Sequence, residues 1–166
     1  RLRPQNFPHL RIVQLASLYH LRQIGLRSML ESKDIASIQK LFCFETSNYW
    51  QHHYTFGTPS QKGSKQLSKG SIELIIINTI VPLLFAYGKY SNKAELCNTA
   101  LDLWEQLEPE QNHIVTQWKK SGFCIESAAD TQALIQLHNE YCATKDCLRC
   151  RFGFDFLRSC TATNNK

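Results

Sequence analysis

Apolar side chains recur every three or four positions along most of this chain, the period of an α-helix packed on one face. Ile12, Leu15, Ala16 and Tyr19 follow that spacing behind Asn6-Phe7-Pro8. Asn6 or Phe7 sits at the cap there, and Pro8 suits the first turn, where a missing N–H costs nothing. Gly25 ends the pattern, and a short helix is predicted over Arg27 to Leu30. Asp34 caps the next helix, which places Ile35, Ile38, Leu41 and Phe42 on one side. The aromatic and polar block from Tyr49 to Phe56 suits either a strand or a helix. Residues 57–70 are rich in Gly, Ser, Lys and Pro and predict a surface loop, the most mobile segment of the chain.

The longest apolar run extends from Leu74 to Gly88. Ser71 is expected to cap its helix, and Pro82 to bend it, because a proline takes away the donor for the carbonyl one turn back. Glu73 precedes the run, Asn78, Thr79 and Pro82 interrupt it, and it falls short of the roughly 20 residues that span a bilayer. A core helix is expected, with no membrane partner. Asn92-Lys93-Ala94-Glu95 reads as a capping box before Leu96, Thr99, Ala100, Leu103 and Leu107. Pro109 opens a short helix carrying Ile114, Val115 and Trp118. Ser127 to Asp130 opens another, with Leu134, Leu137 and Tyr141 inward. A last helix runs from Asp146 towards Arg158.

Strand-like alternation is scarce and no repeat is evident. The expected fold is all-α, a bundle of about six to eight helices around a Pro-bent central apolar helix. Residues 1–160 are expected to form one domain and 161–166 a frayed tail.

Composition adds little. Hydrophobic residues make up 43% of the 166, which argues against disorder. The formal net charge of +5 permits a nucleic-acid partner without requiring one. Seven cysteines, an odd number without framework spacing, point to free thiols and a reducing cytoplasm. Arg1 in place of Met, with no apolar leader behind it, is read as the cut amino end of a longer protein.

Four blocks carry a resemblance. They are Arg1-Leu2-Arg3-Pro4-x-Asn6-Phe7-Pro8, Tyr49-Trp50-x2-His53-Tyr54, Asn78-Thr79-x2-Pro82-x2-Phe85-Ala86-Tyr87-Gly88, and Tyr141-Cys142-x4-Cys147-Leu148-x-Cys150. Together they resemble the carboxy-terminal part of the DUF2851 family, uncharacterised proteins mostly from Bacteroidetes. The resemblance implies a helical end of a longer protein and no assigned activity. It also implies an amino-terminal region with acidic motifs reminiscent of PD-(D/E)xK nucleases, none of which lie in this chain.

The candidate chemistry is concentrated near the end of the chain. Cys142, Cys147 and Cys150 follow C-x4-C-x2-C, a spacing at which soft thiolates can hold zinc or part of an iron–sulfur cluster. His138, one helical turn before Cys142, is the local fourth ligand, and Cys124 or Cys160 are alternatives. A helix amino terminus at Cys147 and Cys150 would favour the thiolate. The competing reading is reduced thiols packed into a helical corner, or a labile disulfide.

His52 and His53 are acid–base or metal candidates, but adjacent residues point apart, and a core-packing aromatic block with one hydrogen-bonded His is the stronger expectation. Asn78 and Thr79 are expected to serve the polar break before Pro82. Arg1, Arg3, Arg11, Lys62, Lys65 and Lys69, with Arg22 and Arg27, are candidate phosphate contacts. No paired carboxylates, phosphate loop or nucleophile elbow is present, so catalysis by this segment alone is not expected. The resulting expectation is an accessory module that packs on its own protein's amino-terminal region. The alternative is a part of a nuclease-like enzyme that touches nucleic acid.

Overall fold

The computed structural model describes residues 3–155 and 158. Among them the architecture is all-α apart from one small hairpin, with nine α-helices. The chain forms two compact units, Arg1–Leu103 and Trp104–Lys166.

The first unit begins with α1 (Pro8–Arg22), α2 (Leu26–Glu31) and α3 (Ile35–Leu41). Pro8 opens α1 as its sequence predicts, and Gln23 closes it in the left-handed conformation. Asp34 caps α3 by accepting a 2.7 Å hydrogen bond from the Ser37 amide. The aromatic block divides between two conformations. Residues Asn48–Gln51 form a single turn, α4, and His53–Thr55 become β1, paired antiparallel with β2 (Thr58–Pro59). Gly57, at φ +72°, supplies the left-handed residue of this tight turn.

The apolar run forms α5 (Lys69–Ile75) and α6 (Val81–Tyr90), joined without a break through a π turn at Ile76–Ile80. The helix starts earlier than expected, because Ser68 and not Ser71 provides the cap. The bend predicted at Pro82 takes the form of this wide turn. The Val81 amide donates to the Ile76 carbonyl, five residues back. The extra residue accommodates a proline ring that would crowd the carbonyl four residues before it. This helix, 22 residues long, is long and apolar enough to cross a membrane by length and composition; an 18-residue stretch of it has a mean hydropathy of 1.7 and is a third buried. It also supplies Ile76, Ile80, Val81 and Leu84, four of the most enclosed side chains in the protein.

Helix α7 (Ala94–Gln106) returns against α6 at very close range. A Cβ on Gly88 would lie 2.8 Å from Cys97 Sγ and 3.1 Å from both the Cys97 nitrogen and the Lys93 carbonyl. Any side chain there would force Cys97 and the neighbouring backbone to shift.

The second unit holds α8 (His113–Lys120) and α9 (Ala128–Leu137). Asn112 caps α8 through Val115, and a Ser127–Asp130 capping box opens α9. The Ala128 amide donates to the Leu107 carbonyl at 2.8 Å, and Gln132 Nε2 to Glu110 Oε2 at 3.0 Å. Thr131 is fully enclosed and bonds the Ala128 carbonyl. A second π turn, His138–Cys142, follows α9, and residues 151–155 are again helical. The frayed tail expected at 161–166 lies outside the described residues.

One expected face is reversed. Ile12, Leu15 and Tyr19 of α1 are exposed by 65%, 55% and 63%, while Leu10, Gln14 and Leu18 are buried. Helix α1 has two apolar stripes of helical spacing. The core takes the one that contains a glutamine, and that glutamine has a partner inside.

Candidate functional site

That partner is the loop after the hairpin. Gln14 Nε2 donates to the Lys65 main-chain carbonyl at 2.8 Å, in a buried setting. The Gln14 Oε1 accepts from Arg11 Nη1 at 3.0 Å, and Arg11 Nη2 reaches Asn6 Oδ1 at 2.7 Å. The loop is thus anchored along α1 and is not simply a solvated excursion. Composition carries no information about where a backbone carbonyl finds its donor.

Lys65 itself is only 3% exposed, with Nζ 3.5 Å from the centre of the Tyr54 ring. That cation–π contact offsets part of the cost of enclosing an ammonium. Two clefts meet at this residue. One, of about 470 Å³, is polar and includes Arg3, Asn6, Arg11, Gln14, Ser68 and Ser71. The other, of about 230 Å³, includes Glu45, Thr46, Gln51, Lys62, Gly63 and Ser64.

The candidate phosphate contacts therefore separate into groups. Arg3, Arg11 and Lys65 share one cleft, and Lys62 and Lys65 share the other. Lys69 is paired with Glu73 at 3.6 Å, and Arg27 with Glu31 at 2.8 Å. Arg22 Nε donates to the Cys43 carbonyl. Arg1 lies outside the described residues. Gln14 and Tyr54 were not among the expected site residues. The only available signal was a polar side chain spaced four residues from Leu10 and from Leu18, on the buried stripe.

His52 and His53 are each held to a backbone carbonyl, through Nδ1 to Asn48 at 3.0 Å and to Tyr49 at 2.8 Å. His53 stacks flat on Tyr49 at 4.0 Å, and Trp50 and Phe56 complete an edge-to-face cluster. His9 of α1 joins it through Phe56 at 5.7 Å. The sequence predicts a core-packing block with one hydrogen-bonded histidine; the cluster instead lies half-buried to exposed, and both histidines are hydrogen-bonded. Asn78 and Thr79 are exposed on the π turn, and Asn78 Nδ2 bonds the Leu74 carbonyl at 3.1 Å.

The cysteine motif occupies the loop after α9. Cys142 ends the π turn, Lys145 turns the chain in the left-handed region, and the Asp146 carbonyl accepts from the Arg149 and Cys150 amides. Cys150 is buried, while Cys142 and Cys147 are exposed. Gly153 packs so closely on Cys147 that a Cβ there would lie 2.5 Å from the Cys147 carbonyl oxygen. Desolvation, then the proximity of Cys150 and Cys147, pushes the Cys142 thiol above its ordinary range. His138 Nδ1 contacts Asn139 Oδ1 at 3.2 Å. Cys124 donates to Glu126 at 3.4 Å, and that bond raises its pKa. Cys160 lies outside the described residues. Among the described residues no group of three or more His, Cys, Asp or Glu is arranged to hold a metal ion.

A third feature surrounds α1. Its exposed ridge of Ile12, Leu15 and Tyr19 is flanked by two apolar grooves. One, about 470 Å³, is lined by Leu15, Leu18, Leu67, Leu74 and Ile75. The other, about 440 Å³, is lined by Val13, Ala16, Leu21 and Trp50.

Comparison with known families bears on all three features. A family profile described as protein of unknown function (DUF2851) matches residues 1–113. The chain belongs to this family. The DUF2851 match covers α1, its grooves, the hairpin and the Lys65 loop, and stops before the cysteine motif. No curated protein and no solved structure matches the chain.

Proposed function

We propose that this DUF2851 chain is a helical docking module that seats the amino-terminal region of its own protein on the outer face of α1. The observation that supports this reading is the exposed ridge of Ile12, Leu15 and Tyr19 between two apolar grooves. Isolated exposed apolar residues are common, but three on consecutive turns of one helix, beside concave apolar surface, form a continuous patch. A ridge between grooves is the shape on which another helix or sheet packs side chains into holes. The role is structural, and no residue in the module is assigned to chemistry.

The test is co-expression of this chain with the separately encoded amino-terminal region. The wild-type chain is expected to retain that region on affinity purification, and a chain carrying Ile12→Lys and Leu15→Lys is expected to lose it while keeping its helical circular dichroism. Equal retention by both chains would refute the assignment. Self-association of the wild-type chain that the same pair abolishes, with no capture of the amino-terminal region, would replace that occupant by a second copy.

A further inference from the structure

We propose that the cleft between residues 62–66 and α4 is a phosphoryl-binding site, with the Lys65 ammonium as its principal ligand. This inference is independent of the docking face. Lys65 is almost wholly enclosed, yet no described carboxylate forms an ion pair with it and no described oxygen accepts a hydrogen bond from its Nζ. An enclosed ammonium ordinarily has an anionic partner. The Tyr54 ring, 3.5 Å from Nζ, covers one side and supplies no acceptor.

The other side keeps some access to solvent. No side-chain nitrogen or oxygen among the described residues is both sealed from solvent and without a hydrogen-bond partner. The Lys65 ammonium has no such partner, so it is not sealed. It lies beside Gly63, where a Cβ would sit 3.8 Å from Nζ, and Gly63 forms part of the wall of the 230 Å³ cleft. The same wall presents Lys62, Thr46 and Gln51, and Glu45 at the exposed rim. Two ammonium groups and one carboxylate leave one net positive charge. That balance suits a singly charged phosphoryl group. A lysine acts here as a point charge, with hydroxyl and amide groups completing the shell.

The position is fixed before any ligand arrives. Gln14 holds the Lys65 carbonyl, and the Gly63 amide donates to the Gln51 carbonyl at 3.1 Å. Both ends of the short segment that carries the ammonium are therefore tied to helices, which lowers the ordering cost of binding.

Two sources offer this chemistry, a free phosphate and the phosphodiester backbone of a nucleic acid. The experiment titrates the whole chain with inorganic phosphate, with acetate at matched ionic strength, and with a fluorescent single-stranded oligonucleotide. Melting temperature and anisotropy are the readouts. Phosphate or the oligonucleotide is expected to bind saturably and acetate not to bind. Lys65→Met is expected to weaken binding at least about tenfold, the loss of one charge-assisted hydrogen bond. Gly63→Ala adds one methyl beside the ammonium without a clash, so it keeps the fold and narrows the cleft. It is expected to weaken binding too, and it decides the question if Lys65→Met does not fold.

Competition between phosphate and the oligonucleotide assigns the site to a nucleic-acid backbone. Binding of phosphate alone assigns it to a small molecule. Binding of neither, binding of acetate as strongly, or binding unchanged in Gly63→Ala and in any folded Lys65→Met would overturn the proposal.

Discussion

Gln14 on α1 holds the main-chain carbonyl of Lys65, fifty-one residues away, through a buried 2.8 Å hydrogen bond. This single contact ties a segment of loop composition to α1. Removing the glutamine leaves a buried carbonyl unpaired, and such a loss costs about 1–3 kcal/mol. Gln14→Ala is therefore expected to lower stability in urea by that amount. Faster amide exchange is expected at residues 60–66, with α8 and α9 unaffected. Unchanged exchange in the loop would show that the bond is not its anchor.

Gly88 meets α7 so closely that a Cβ there would displace Cys97 Sγ and press on the backbone. Gly88→Ala is expected to cost about 1–3 kcal/mol, the usual range for overpacking. Part of the strain is against Cys97 Sγ and part against backbone. A Gly88→Ala, Cys97→Ala double mutant should therefore recover some of the loss and not all of it. A full double-mutant cycle in chemical denaturation measures the recovered fraction.

Asp130 closes the capping box of α9. Its carboxylate accepts from the Glu126 amide at 2.9 Å and from the Ser127 amide at 3.1 Å. Those bonds, that to Glu126 foremost, hold its pKa below the ordinary carboxylate value, against a smaller opposing effect of burial. A depressed folded-state pKa contributes stability that is complete above the unfolded carboxylate pKa and is lost as pH falls through the folded one. Fraying at the start of α9 is thus expected only on acidification below the ordinary carboxylate range. Asp130→Asn should remove most of that acid dependence, and amide exchange at residues 127–130 against pH checks it.

Cys142 titrates in the opposite sense. Desolvation, with Cys150 and Cys147 nearby, raises its pKa. A raised folded-state pKa favours the fold below the ordinary thiol pKa, and that contribution disappears as pH rises through the folded value. Alkylation of Cys142 by iodoacetamide is accordingly expected to be slower near neutral pH than for an isolated thiol, with its midpoint displaced to alkaline pH. Cys150→Ser should move that midpoint back down. Mass spectrometry of singly modified peptides follows each thiol separately, and a Cys142 midpoint below that of an ordinary thiol would contradict the arrangement.

What could be read from the chain was what depends on near neighbours in sequence. Asp34 with Ser37, Ser127 with Asp130, and Pro8 at the start of α1 are capping arrangements within a few residues, and each formed where its spacing indicated. The disturbance at Pro82 was legible for the same reason, although its form, a π turn, depended on how the long helix accommodates the ring. The membership in DUF2851 was legible because several spaced blocks had to coincide.

Sequence by itself thus determined that the chain is helical, where α1, α3 and α9 begin, and which positions are apolar. Only the tertiary structure decided that Ile12, Leu15 and Tyr19 face outward, that Gly88 is a point of contact between helices, and that Lys65 is enclosed beside Tyr54. The physical reason is range. Helix caps and periodicity are satisfied within one or two turns, whereas which of two apolar stripes is buried depends on contacts with residues distant in sequence, such as that of Gln14 with the Lys65 carbonyl.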